Sequence, residues 1–191
     1  MKIVFATNNA HKLAEVRAVL GEGFELVTLR EVGITEDIPE TGATLEENAS
    51  QKARYVYERT GLDCFADDTG LEVEALRGAP GVRSARYATY GHDFAANNRK
   101  LLDELQGEDN RRARFRTVIS LIRGGEEQRV EGIVRGSIAL SEAGCGGFGY
   151  DPLFIPEGYD VTFAEMSANE KNSISHRGRA VAELVKVLNG R

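Results

Sequence analysis

Short apolar runs alternate along this chain with stretches whose apolar positions recur every three or four residues, the pattern of strands interleaved with amphipathic helices. Residues 2–6 form a short apolar run that predicts a buried first strand, and Thr7-Asn8-Asn9 then supplies small polar groups suited to capping a helix. Leu13, Val16, Val19 and Leu20 make the apolar stripe of that helix, over residues 10–20, and Gly21 ends it. Residues 24–29 read as a second strand. Thr44 and Glu47 have the spacing of a capping box for a helix running to about Thr60, before Gly61, with Ala49, Ala53 and Val56 as a narrow packing face.

Cys64-Phe65-Ala66 then runs into Asp67-Asp68-Thr69-Gly70, an apolar strand end loaded with acid groups, and residues 71–76 alternate like a half-buried strand. A turn-rich connection over 78–87 leads to a predicted helix at 92–106, closed by Gly107. Residues 112–123 are the clearest strand. Arg112, Arg114 and Arg116 alternate with Ala113 and Phe115 before the buried-looking Val118-Ile119-Ser120-Leu121-Ile122. Gly124-Gly125 predicts a tight turn, with residues 128–138 returning antiparallel. The last third is loop-rich, with a second capping box at Thr162 and Glu165, and a final helix predicted at 179–188 on Val181, Leu184, Val185 and Leu188. The pattern is that of an α/β protein, and without repeats, low-complexity tracts or linkers it predicts one folding unit over residues 1–191.

Charge and composition narrow the chemistry. A net charge of −6 and a pI near 5.2 argue against a sequence-independent grip on nucleic acid, which requires a basic surface. No apolar run approaches the roughly 18 residues of a membrane span. A soluble, cytoplasmic protein without membrane or nucleic-acid partners is therefore expected. Cys64 and Cys145 make neither a disulfide framework nor a zinc pattern, and His11, His92 and His176 are too few for an imidazole-rich site. Any metal should be oxygen-ligated and Mg²⁺-like.

Several groups could serve such a site. Lys12 lies in the first turn after Thr7-Asn8-Asn9, where helix N–H groups and an ammonium can meet one anion, although an ordinary capped helix has the same pattern. Glu40 sits in the acidic loop 36–42, restrained by Pro39 and Gly42. Asn48 and Lys52 are one helical turn apart and share a face. Neighbouring residues of an extended chain point to opposite sides, so Asp67 and Asp68 can face one metal only if the backbone turns at Thr69-Gly70. Near the end, glycines flank Phe148 in Gly146-Gly147-Phe148-Gly149-Tyr150-Asp151-Pro152, a backbone that can approach a flat ligand closely. The ordinary alternative is a flexible loop with Phe148 tucked into the core.

Thr7-Asn8-Asn9 with Lys12, Asn48 with Lys52, the 66–70 segment, the 146–152 segment, and Glu170-Lys171 through Ser175-His176-Arg177 occur together and in order. In this combination the chain resembles the inosine triphosphate pyrophosphatase family over nearly its whole length. The resemblance implies a Mg²⁺-dependent homodimeric enzyme that hydrolyses deaminated purine nucleoside triphosphates to the monophosphate and pyrophosphate. It also implies an elongated, two-lobed α/β fold with a long mixed central sheet flanked by helices and an active-site cleft between the lobes. Glu40 and Asp68 are then the metal ligands, with Asp67 and Glu72 in second rank, and Asp68 is the proton acceptor. Lys12, Lys52 and Lys171, with Thr7, Asn8, Asn9, Asn48 and Thr69, fall on the substrate side. Phe148 would stack on the purine, Gly149 and Tyr150 would also bind the substrate, and Asp151, His176 and Arg177 would surround the base edge. The alternative for His176-Arg177 is that they cap the last helix and pair with nearby acids. Asn8 and Thr69 depart from the residues common in the family, but both remain small and polar. An aspartyl-phosphate phosphatase is disfavoured because the first strand ends in Thr7-Asn8-Asn9 and not Asp-x-Asp, and a regulatory nucleotide-binding module is disfavoured by the pairing of Asp67-Asp68 with Glu40.

Overall fold

The computed structural model describes residues 1–190. Its strands are β1 (Lys2–Phe5), β2 (Glu25–Thr28), β3 (Cys64–Val73), β4 (Pro80–Gly81), β5 (Arg112–Arg123), β6 (Glu126–Ile138) and β7 (Phe154–Pro156). Among the described residues they form one seven-stranded sheet in the order β2-β1-β3-β5-β6-β7, with β4 added to β3. β1 runs parallel to β2 and β3, whereas β3–β4 and β6–β7 are antiparallel, so the sheet is mixed. The helices are α1 (Ala10–Leu20), α2 (Leu45–Thr60), α3 (Phe94–Glu104), α4 (Ala168–Ile174) and α5 (His176–Leu188). The α/β class and mixed sheet agree with expectation.

The chain divides into two compact units, each assembled from separate stretches. The first comprises Met1–Asp68, Thr117–Gly132 and the chain from Arg177 onward. Strand alternation organises it. Ile3 and Phe5 of β1 join Phe65, Ile119 and Leu121 in one cluster with Val16 and Leu20 of α1 and Val181 and Leu184 of α5. Val4, Ala6, Cys64, Ala66 and Ile122 join Ala53 and Val56 of α2 in another. Because both faces of these strands are covered, their sequences read as continuous apolar runs. Phe5 and Phe65 stack at 4.6 Å between ring centroids on the α1 and α5 side.

The second unit comprises Thr69–Arg116 and Ile133–His176. Its core gathers Leu71, Val73, Leu101, Leu105, Ala113, Phe115, Val134, Ile138, Tyr150, Leu153, Phe154 and Phe163. Ala113 and Phe115 are the inward residues of β5, as its alternation predicted.

Three differences from the sequence reading have local causes. β3 does not end at the acidic pair but continues through Thr69-Gly70 to Val73, because those residues remain in the ladder. Residues 74–76, expected as strand, form a short 3-10 turn ended by Arg77 at φ 54. α5 begins at His176 and not at residue 179, and α4 precedes it, opened by a capping box in which Ser167 accepts from the Glu170 N–H and Glu170 from the Ser167 N–H. The box at Thr162 and Glu165 is present as predicted, on a 3-10 turn.

α2 is held to the hairpin by Glu127. Its carboxylate accepts from Arg54 at 2.7 and 2.9 Å and from the fully buried Ser120 at 2.8 Å. Burial opposes the charge, yet hydrogen bonds from Ser50, Arg54 and Ser120 hold the acid at about 2. A carboxyl depressed in the folded state stabilises above its unfolded value and loses that contribution as pH falls through the folded one. The melting-temperature advantage of wild type over Glu127→Gln is therefore expected to be full above the ordinary 4.5 and to shrink as pH drops towards about 2. Thermal melts of both proteins across that window check it, and a constant difference would remove the ionised carboxylate as its source.

Candidate active site

The alternation that builds the first unit also divides its two aspartates. Asp67 shares the side of Phe65, facing α1 and α5. Lys12 Nζ lies 3.1 Å from Asp67 Oδ1, while Nε and Nη2 of Arg177 each lie 3.3 Å from Oδ2. Arg177 also donates through Nη1 to Glu15. Asp67 and Arg177 are each 2 % exposed. Burial opposes the Asp67 charge, but Lys12 and Arg177 hold its carboxyl well below the ordinary range. Burial likewise works against the Arg177 guanidinium, and Asp67 and Glu15 more than offset it. Lys12 has the opposite outcome: burial, with Lys52 and Arg177 close by, leaves its ammonium below its usual value.

Asp68 points to the α2 side. Asn48 Nδ2 donates to its Oδ2 at 3.2 Å and Lys52 Nζ to its Oδ1 at 3.4 Å. Lys52 also meets Glu40, so two carboxylates converge on one ammonium. The loop that brings Glu40 there is pinned to α2. Gly42 N–H donates to Asn48 Oδ1 at 2.7 Å, and Thr41 N–H to Gln51 Oε1 at 2.9 Å. A Cβ on Gly42 would lie 2.6 Å from that of Glu47, so only glycine allows this approach. Burial pushes the Asp68 carboxyl above the ordinary value, with Glu40 adding to it, despite Lys52 and Lys12.

At the start of α1 the polar residues serve the turn. Asn9 Oδ1 accepts from the His11 and Lys12 N–H groups, and Thr7 Oγ1 from the Asn9 N–H at 3.1 Å. Asn8 is exposed. An anion here would meet the Lys12 ammonium more than those two amides.

The second unit holds the glycine loop. Phe148 is half-buried and not part of the core cluster, so the tucked-in alternative does not describe it. Asp151 Oδ2 accepts from the Phe148 N–H at 2.9 Å and from Lys171 Nζ at 2.6 Å, and that ammonium lies 5.0 Å from the Phe148 ring centroid. A Cβ on Gly147, at φ +67, would overlap the Asp151 carboxylate. The hydroxyl of Tyr150 donates to the Ser84 carbonyl at 2.7 Å, which ties the loop down from below. His176 is buried and stacks on Phe115 at 4.5 Å.

Thr7, Asn9, Lys12, Asn48, Lys52, Glu40, Asp67, Asp68 and Arg177 thus lie in the first unit, and Thr69, Phe148, Gly149, Tyr150, Asp151, Lys171 and His176 in the second. Arg177 pairs with acids, as the alternative for that residue had it. Glu72 meets Arg114 and Arg116 and not the aspartates. Glu15 stands in no motif of the sequence, although its spacing of three from Lys12 places both on one face of α1.

Residues 3–187 match the model of the Ham1 family. The chain belongs to the Ham1 family. This Ham1 chain is 56 % identical over 184 residues to a protein of Porphyromonas gingivalis named dITP/XTP pyrophosphatase, covering 96 % of this chain and 95 % of that one. It superposes on the Ham1 protein of Staphylococcus aureus with a TM-score of 0.90 at 39 % identity, covering 100 % and 99 % of the two chains. For the HAM1 protein of Coxiella burnetii the TM-score is 0.91 at 40 % identity, covering 100 % of each. The resemblance found in the motifs is borne out by these matches.

Metal fit can be judged on the donors of this Ham1 site. Among the described residues no three His, Cys, Asp or Glu side chains gather as a metal cage. Glu40 and Asp68 nevertheless present hard oxygens around one cation, and Mg²⁺ is typically held by one or two carboxylates with water and phosphate oxygens completing the shell. Glu15, Glu40, Asp67 and Asp68 also outnumber Lys12, Lys52 and Arg177 by one charge. The donor set fits a hard divalent cation.

The two aspartates should respond differently to amidation. Asp67→Asn leaves Lys12 and Arg177 buried against a neutral group, and losing one partner of a buried pair costs about 3–5 kcal/mol. Asp68→Asn removes a charge that burial disfavours, so its stability is expected to match or exceed wild type. Urea denaturation of both variants checks this, and equal destabilisation would overturn the distinction.

Proposed function

We propose that this chain is a nucleoside-triphosphate pyrophosphohydrolase that converts deaminated purine nucleotides, dITP, ITP and XTP, to their monophosphates and pyrophosphate. The observation that carries the reading is the buried carboxylate Asp68, raised in pKa and set beside Lys52 and Glu40, in a chain so close to relatives named dITP/XTP pyrophosphatase.

A triphosphate carries about four negative charges near neutrality, which a site in an acidic protein must neutralise locally. Lys12, Lys52 and Lys171 are the candidate cations for this. Mg²⁺ held by Glu40 and Asp68 would supply the remaining neutralisation and stabilise charge on the departing pyrophosphate. Asp68 accepts the proton of the water whose oxygen bonds to the α-phosphorus as the bond to the bridging oxygen of the β-phosphate breaks. Asn48 orients the carboxylate through its Nδ2 donor. Asp67 is the counter-ion that keeps Lys12 and Arg177 in place, so Arg177 works through Asp67. Thr7, Asn8, Asn9 and Thr69 border the phosphate side.

The purine stacks on Phe148, with Gly149 allowing close approach, Tyr150 holding the loop, and Asp151 and His176 at the base edge. Hypoxanthine and xanthine carry a carbonyl at position 6 and a proton on N1, where adenine has an amino group and a bare acceptor. A site built on hydrogen bonds to those groups can discriminate by up to roughly 10⁴–10⁵, since the wrong base leaves buried polar groups unpaired.

With inosine triphosphate and Mg²⁺, the expected product is pyrophosphate, formed far faster than from ATP. Release of orthophosphate, or of neither product, would overturn the reading. Asp68→Asn is expected to stay folded and lose about 10²–10⁴ in kcat. A folded variant with near-wild-type pyrophosphate release would take the proton-acceptor role away from Asp68.

A further inference from the structure

Helix α3 contributes nothing to the site as described, yet one of its faces meets the glycine loop at two points. Phe94 and Asn98 are four residues apart and so lie on the same side of the helix. The Phe94 ring is 6.1 Å from that of Phe148 between centroids, tilted by 49°. Asn98 is 3 % exposed, and its Nδ2 donates to the Gly149 carbonyl at 3.2 Å. Its Oδ1 is buried without a hydrogen-bond partner among the described residues.

The helix is a firm base for these contacts. Asp93 caps it through the Ala96 N–H at 2.9 Å, Leu101 and Leu105 are fully buried, and Asn97 links it to the preceding loop through the Ala88 N–H at 2.8 Å and the Ala85 carbonyl at 3.1 Å. The backbone at Phe148 is held by its N–H bond to Asp151, but that bond does not set where the ring lies. Phe94 contacts its ring, and Asn98 holds the carbonyl of the next residue, Gly149.

We infer that Phe94 and Asn98 are positioning residues that hold Phe148 and Gly149 in the orientation that receives the purine base, making α3 the support that sets base preference. The inference rests on the reading of Phe148 as the stacking surface. Removing either support lets the ring and its peptide move, which weakens capture of the base without touching the phosphate chemistry. The loss falls on KM, and it falls more heavily on purine than on pyrimidine triphosphates, which offer less area to stack.

Steady-state kinetics with inosine triphosphate and a pyrimidine triphosphate test this in Phe94→Ala, Asn98→Ala and Phe148→Ala, with melting temperature as the folding control. Each α3 variant is expected to raise KM for inosine triphosphate about three- to tenfold, the range of one aromatic contact, with kcat within about twofold. The purine-to-pyrimidine ratio should fall, Phe94→Tyr should restore it, and neither α3 change should add to the effect of Phe148→Ala. Unchanged KM in both α3 variants beside a weakened Phe148→Ala would overturn the inference while leaving the stacking reading intact. An unchanged KM in Phe148→Ala would instead overturn the stacking reading, and the inference with it. Equal losses for both base classes, additive to Phe148→Ala, would make α3 a structural support only and overturn the inference. Should an alanine variant not fold, Phe94→Leu, which keeps apolar bulk without a ring, and Asn98→Asp, which keeps shape without the donor, decide by the same outcomes.

Discussion

Consecutive side chains of an extended strand point to opposite sides, and at Asp67-Asp68 this places two carboxylates in different surroundings within about 4 Å of backbone. The rest of the first unit follows from that division. On one side Phe65 and Asp67 face α1 and α5, which bring Lys12 and Arg177. On the other, Ala66 and Asp68 face α2, which brings Asn48 and Lys52. A turn at Thr69-Gly70 would have put both acids on one metal, but the ladder runs on and keeps them apart.

The two environments give the acids different work. Asp67 is enclosed by two cations and stays ionised at a cost of burial that only its partners offset. A pair of this kind contributes little net stability, but its loss is severe, so it holds the arrangement of α1 and α5 against β3 more than it strengthens the fold. Asp68 has weaker support, shares Lys52 with Glu40, and binds protons more tightly than an ordinary carboxyl. Opposed environments thus leave one of two neighbouring carboxyls with its proton affinity depressed and the other with it raised.

In the second unit, control is exerted through the backbone. The Asp151 carboxylate occupies the space that a side chain at residue 147 would need, accepts the Phe148 N–H, and is itself held by Lys171. Tyr150 and Asn98 fix the loop through carbonyl contacts. The glycines of this segment are therefore places where polar side chains come close to the main chain, and the flexibility suggested by its composition is largely removed by hydrogen bonds.

Much of the secondary structure was legible along the chain. The limits of α1 and β5 follow from stripe, alternation and stop residues, and Asp67, Asp68, Lys12, Lys52 and Phe148 stand out by residue type and motif. Local signals reach only as far as neighbouring turns, however. The Ser167 to Glu170 box that opens α4 was present in the sequence but lay in a polar stretch without an apolar stripe to draw attention to it. Which acids Arg177 pairs with could not be read, because its partners Glu15 and Asp67 are 162 and 110 residues away. The sequence by itself determined the α/β class and the course of most strands and helices, since these depend on periodicity and side-chain type. Only the tertiary structure decided which carboxylate meets which cation, that Thr69-Gly70 stays in the strand, and that Phe148 leans on α3, because those outcomes depend on burial and on contacts between segments far apart in the chain.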